Sequence, residues 1–181
     1  MHRDCVRPTL RRRSTADFGI HIHQKLNTDL VEDQLVSDPF VLICNRGHSL
    51  ADQSEVRWAE LGATDLITLG GASGNRLQVE AQLTAAALPP RGRFVVESTP
   101  TAIALVSAGV GAAILPAALT GATQRDDLVE IMLIEPEIYR TISLVRHRNV
   151  SLTPAAATLY EMLKIEISAS SKSIKDLGGA A

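Results

Sequence analysis

The sequence predicts an α/β fold, and three stretches carry that reading. Arg93–Pro116, RFVVESTPTAIALVSAGVGAAILP, reads as strand, helix, strand. The stretch from Asp65, DLITLGGASGNRLQVEAQLTAAAL, has the same strand, turn and helix about 30 residues earlier. PFVLICN (residues 39–45) is apolar at successive positions, the mark of a strand covered on both faces. Strands alternating with helices of these lengths make right-handed parallel β-α-β units.

Taken in order, residues 1–13 hold five arginines with no hydrophobic segment behind them. They do not read as a secretory signal and are expected to form a disordered basic leader. Ala16–His23 (ADFGIHIH) reads as a strand in which His21 and His23 share a face, the minimal spacing for two metal ligands. No third ligand stands nearby, so no metal site is expected. Cys44, near the end of the apolar run, reads as a small buried hydrophobe. Arg46-Gly47-His48 forms a turn with His48 as a turn residue, and Val56, Ala59 and Leu61 suggest a short helix around Trp58.

The helix after Gly70-Gly71-Ala72-Ser73-Gly74 takes its apolar positions from Leu77, Val79, Ala81, Leu83 and Ala87 before Pro89-Pro90 closes it. After the strand Phe94–Glu97, Ser98 and Thr99 are N-cap candidates, with Pro100 placed for the first helical position. Gly109 ends that helix, because a C′ position favours the left-handed conformation. Ala112–Leu115 is then a buried strand ended by Pro116. A polar loop (LTGATQRDD) leads to a strand at Leu128–Ile134, and TISLVRHRN is another strand opened by Tyr139-Arg140. A final helix starts at Thr153-Pro154, and the polar residues 168–181 are expected to be a disordered tail.

Two helix starts thus follow the carboxyl ends of two strands, near Ser73-Gly74 and near Ser98-Thr99. Helix N-termini present unpaired N–H groups and a positive dipole end, which favours an anion. Thr99 capping its own helix is the simpler reading of that site alone. If the two strands are neighbours, both amide clusters face one crevice, where open α/β sheets take ligands. Arg76 adds charge there, or else faces solvent. The glycines match neither a hydrolase elbow nor a P-loop, and Gly109-Val110-Gly111 is not a dinucleotide fingerprint.

A chain of 181 residues with net charge −2 implies no nucleic-acid surface, and 3% aromatic content argues against base-stacking platforms. Cys5 and Cys44 are too few for a disulfide framework and are read as reduced cytosolic thiols. No apolar run approaches the ~20 residues that span a bilayer. No nucleophile–base pair, metal cluster or cofactor loop is found, so neither an enzyme nor a cofactor is expected.

Six motifs in order resemble the effector-binding domain of LysR-type transcriptional regulators. They are ADFGI (Ala16–Ile20), DPFVLICNRGHSLA (Asp38–Ala51), WAEL (Trp58–Leu61), ITLGGASGNR (Ile67–Arg76), VESTPTAIALVSAGVGAAILP (Val96–Pro116) and YRTISLVRHRNVSLTPAA (Tyr139–Ala156). The resemblance implies a periplasmic-binding-protein-like fold: two α/β lobes joined by a hinge, with an effector cleft between them. The domain would span residues 14–167, with the second lobe at about 52–143 and the first made of 14–51 and 144–167. Hinge crossings would fall near Asn45–Ala51 and Leu144–Asn149. Ligand contacts carry over to Ser73, Gly74, Arg76, Ser98 and Thr99, and the ligand implied is a small anionic metabolite.

The sequence departs from the family in lacking the DNA-binding helix-turn-helix and the opening of lobe one, and Ser14 stands where the family has glycine. A truncated regulator with an incomplete first lobe is therefore expected, able to homodimerise or to associate with intact relatives. A solute-binding protein of the same fold and a non-functional regulator fragment are the alternatives. The expected location is cytoplasmic, without membrane contact.

Overall fold

The computed structural model describes residues 16–22, 29–70, 74–87, 92–120 and 125–177, with side chains as far as residue 167. The leader 1–13, His23 and Ser73 lie outside these residues. The strands are β1 (Phe18–Ile22), β2 (Leu30–Asn45), β3 (Glu55–Arg57), β4 (Leu66–Leu69), β5 (Phe94–Val96), β6 (Ala112–Pro116), β7 (Leu128–Ile134) and β8 (Tyr139–His147). The helices are α1 (Gly74–Ala85), α2 (Thr99–Ser107), α3 (Ala117–Thr120) and α4 (Pro154–Leu177), with a 3-10 helix at Trp58–Ala63.

The chain divides into two compact units, Asp38–Arg140 and the flanking segments that end at Ser37 and resume at Thr141. In the Asp38–Arg140 unit the strand order is β3-β7-β2-β6-β4-β5. β4 pairs in parallel with both β5 and β6, while β2 pairs antiparallel with β6 and β7. The chain therefore steps outward from β4 to β5 through α1, then back past β4 to β6 through α2. Both crossovers are right-handed only if the two helices lie on opposite faces of the sheet.

The core shows that arrangement. Phe40, Leu42 and Cys44 join Trp58, Leu61 and the α1 residue Leu83 in one cluster. Val41 and Ile43 join Ile67, Leu115 and the α2 residues Ile103 and Val106 in the other. Alternate β2 residues thus feed opposite layers, which is why PFVLICN is apolar throughout. Val41, Leu42, Ile67 and Val106 are fully buried, each stabilising by about 1.5–3 kcal/mol relative to exposure.

In the other unit β1 pairs antiparallel with β8, which lies beside β2 in the sheet order. The α4 residue Tyr160 is 3% exposed, stacks edge-on against Phe18 at 5.2 Å and donates to Asp33 at 2.9 Å. Thr153 caps α4 as its sequence predicts, its hydroxyl accepting from the Ala156 N–H at 3.3 Å.

The structure differs from the sequence reading at several points, among them Val56, which lies in β3 rather than in the short helix around Trp58. β2 is 16 residues long, starting at Leu30; its polar first half shows no apolar run, and Ser143 and Tyr160 hydrogen-bond the Glu32 and Asp33 side chains there. The stretch after Pro116 opens with the short α3 instead of a loop, its Ala118 N–H held by Asp38 at 2.9 Å. Helix α4 runs on to Leu177 rather than giving way to a disordered tail at 168; no glycine or proline interrupts that stretch, so each added residue adds a helical hydrogen bond. The central unit starts at Asp38 rather than near residue 52, because residues 40–45 pair with β6 and β7.

Candidate functional site

The site is organised by β4 and β5, which pair in parallel as Ile67 to Phe94, Thr68 to Val95 and Leu69 to Val96. The two strands are therefore neighbours, and both helix starts lie beyond their carboxyl ends. The Gly70 N–H donates to the Val96 carbonyl at 2.7 Å, tying one exit turn to the other. A Cβ at Gly70 would stand 2.7 Å from the Glu97 carboxylate, so the missing side chain makes room for that acid beside the turn.

Of the five residues expected to touch ligand, Ser73 is outside the described residues. Gly74 opens α1. Arg76 pairs with Glu80 one turn on at 2.6 Å, their side chains 37% and 33% exposed. Arg76 also lines an open cavity of about 210 Å³ beside α1, together with Asn75 and Glu80.

At the other helix start Ser98 is the N-cap, with φ −142° and ψ 146°. Its hydroxyl accepts from the Thr101 N–H at 3.3 Å and is hydrogen-bonded to the Thr101 hydroxyl at 2.8 Å. Thr99 is the first helical residue and Pro100 the second, one position later than the sequence spacing predicts. Ser98 and Thr99 are not among the cavity's lining residues. At the other end of α2, Gly109 adopts φ +74°. Its N–H reaches the Val106 carbonyl and the Val110 N–H reaches that of Leu105, the double bond of a Schellman cap.

Sequence reasoning missed the most buried polar group of this unit. The Arg140 Nε donates to Asp38 at 2.7 Å, with side chains 5% and 0% exposed. The other Asp38 oxygen accepts the Ala118 N–H at 2.9 Å, and the Arg140 Nη1 reaches the Asn75 side-chain oxygen at 3.4 Å. Asp38 and Arg140 are also the first and last residues of the unit, on the strands β2 and β8 that leave it. Asn75, second residue of α1, is thereby connected to both departing strands. The sequence signal was one lone acid and one lone base, each at the head of an apolar strand.

Two residues of chemically reactive type, Cys44 and His48, are held in structural positions. Cys44 is fully buried, and burial pushes its thiol up, away from the reactive thiolate. His48 sits in its turn, Nδ1 accepting from the Leu50 N–H at 3.2 Å. Arg76 supplies a cation at the α1 start, offset by Glu80 and by Glu97 at the neighbouring turn.

Comparison with known proteins places this arrangement. Residues 9–167 match the family described as LysR substrate binding domain. Over 148 residues the chain is 34% identical to the uncharacterized HTH-type transcriptional regulator YbhD of Escherichia coli K12, covering 82% of this chain and 47% of YbhD. The chain thus spans about half the length of that relative. Its fold is similar to the regulatory domain of CcmR from Synechocystis PCC6803, with TM-score 0.72 and 22% identity over 87% of this chain and 74% of that one. It is also similar to the effector binding domain of QuiR, with TM-score 0.66 and 20% identity over 80% of this chain and 68% of that one. With a periplasmic-binding-protein-like α/β fold and a family match over most of its length, the chain belongs to the LysR family of transcriptional regulators, as its substrate-binding domain.

Proposed function

We propose that this chain is the effector-sensing module of a LysR-type regulator, and that it binds a small anionic metabolite at the start of α1 without converting it. The observation that carries the reading is the placement of α1 and α2 at the carboxyl ends of paired strands, with Arg76 at the first helix start. Unpaired N–H groups and the dipole of a helix end favour an anion there. Two fold neighbours were solved with small molecules, the CcmR domain with 2-PG and the QuiR domain with shikimate. The cleft between lobes is the family's arrangement and enters this proposal from that resemblance. DNA binding, through a helix-turn-helix outside this sequence, dimerisation and a cytoplasmic location enter in the same way.

The mechanism is a competition for Arg76. Its guanidinium pairs with Glu80 at 2.6 Å. An incoming carboxylate takes over part of that fork, and Asn75, next along the helix, transmits any shift of the α1 start to Arg140 and Asp38.

A thermal-shift screen of small mono- and dicarboxylates tests the proposal. A ligand at a hundred times its Kd adds about 2.7 kcal/mol, or about 5–10 °C in Tm for a chain of this size. Arg76→Ala is expected to weaken the hit about 10-fold to 100-fold, the worth of a charged hydrogen bond, and Glu80→Gln to strengthen it. A screen without hits, or a hit indifferent to Arg76, would contradict the reading.

A further inference from the structure

Beside α1 lies the open cavity of about 210 Å³ already met at Arg76. Its apolar lining comes from Val79 and Leu83 on α1, Phe40 on β2, Leu69 on β4, Val95 on β5 and Ile114 on β6. The chamber opens to solvent, with Val95 exposed at its rim. An apolar cavity of about 150 Å³ stays dry and accepts benzene, so this one has room for a ring with a short substituent.

The polar lining comes from α1 and β4. Arg76 and Glu80 line the chamber with Asn75 just before them, while Thr68 stands on β4. Gly92 leaves room for Thr68, because a Cβ there would meet the Thr68 hydroxyl at 2.4 Å. Among the described lining residues Arg76 is paired with Glu80, and Glu97 lies against Gly70 at the adjoining turn.

We infer that this chamber holds the apolar body of the effector, whose class is a ring-sized hydrophobic monoacid with its carboxylate at Arg76. The inference rests on the effector reading above and narrows it. A compact polyanion such as phosphate leaves the apolar part of the chamber unfilled.

The test is a 19F NMR titration of the chain with 4-fluorophenylacetate, 4-fluorobenzyl alcohol and fluoroacetate. The expected result is saturable binding of 4-fluorophenylacetate at least tenfold tighter than either of the others. Val79→Phe fills the chamber from its roof, and Ile114→Phe fills it from the floor should the first variant fold poorly. Either filled variant should melt no lower than the parent and lose at least tenfold in affinity for 4-fluorophenylacetate, with its weak fluoroacetate response unchanged. Equal affinity for fluoroacetate and 4-fluorophenylacetate overturns the chamber while leaving the effector reading intact, provided that binding depends on Arg76. Undiminished 4-fluorophenylacetate binding by a folded, filled variant overturns the chamber alone. Failure of 4-fluorophenylacetate to bind, where a carboxylate of the thermal-shift screen binds through Arg76, also overturns the chamber alone.

Discussion

Replacing Arg140 by methionine keeps most of the side-chain volume and removes the charge that faces Asp38. The Asp38 carboxylate is fully buried, and Arg140 is 5% exposed at 2.7 Å from it. After the substitution the carboxylate keeps the Ala118 N–H and loses its ionic partner. Removing one half of a buried pair costs about 3–5 kcal/mol, a large share of a total stability of about 5–15 kcal/mol. For a chain of this length the loss corresponds to a fall in Tm of about 6–20 °C. Asp38→Asn combined with Arg140→Met retains an acceptor for the Ala118 N–H and carries no buried charge. The double variant is expected to lose less than Arg140→Met alone, which gives a coupling energy of about 2 kcal/mol or more. Urea unfolding at neutral pH, followed by the fluorescence of the single tryptophan, Trp58, reports on the unit that contains the pair. If Arg140→Met lies within about 1 kcal/mol of the parent, or the double variant shows the sum of the single losses, the pair is not the brace the structure makes it.

Two glycines separate backbone conformation from close approach. Gly109→Ala places a side chain at φ +74° with nothing within 4 Å, so it should cost only the left-handed penalty, about 1–2 kcal/mol. Gly111→Ala would put a Cβ 2.1 Å from the Asp65 carbonyl oxygen and should cost about 3 kcal/mol or more; equal losses in chemical denaturation would refute this distinction. Tyr160 supplies a pH test, since burial, followed by its hydrogen bond to Asp33, pushes its hydroxyl up from 10 to about 12. The folded state therefore favours the neutral phenol, and that stabilisation is complete below about pH 10 and lost as pH rises through 12. In Tyr139→Phe, absorbance at 295 nm should show Tyr160 titrating near 12 in the native protein and near 10 in urea; a native midpoint near 10 would refute the buried hydrogen bond.

The locally encoded features were legible in the sequence. Leu128–Ile134 forms the expected strand, Gly109 takes the left-handed C′ position, and Thr153-Pro154 opens α4, each decided by residues within a few positions of one another. The continuous apolar run PFVLICN correctly announced a strand covered on both faces. Long-range features were not legible. Asp38 and Arg140 lie 102 residues apart, and only the pairing of distant strands brings them together. The polar half of β2 and the three-residue β3 have too little apolar pattern to identify them, because their partners come from far along the chain. At the candidate site the helix starts and Arg76 could be read from local signals. The Arg76–Glu80 pair was visible only as an i, i+4 spacing, and the chamber beside α1 depends on the tertiary stacking of helix on sheet.

The central claim is that a small acid docks at the start of α1. Backbone amide NMR of the isotope-labelled chain, titrated with the carboxylates of the thermal-shift screen, tests it directly. The account predicts saturable shifts concentrated at the amides of Asn75, Arg76 and Leu77, with smaller ones at Thr101 and Ala102, and their loss in Arg76→Ala. Shifts centred on the β1 and α4 surface instead, or an α1 start unmoved by ligands that raise Tm, would contradict it.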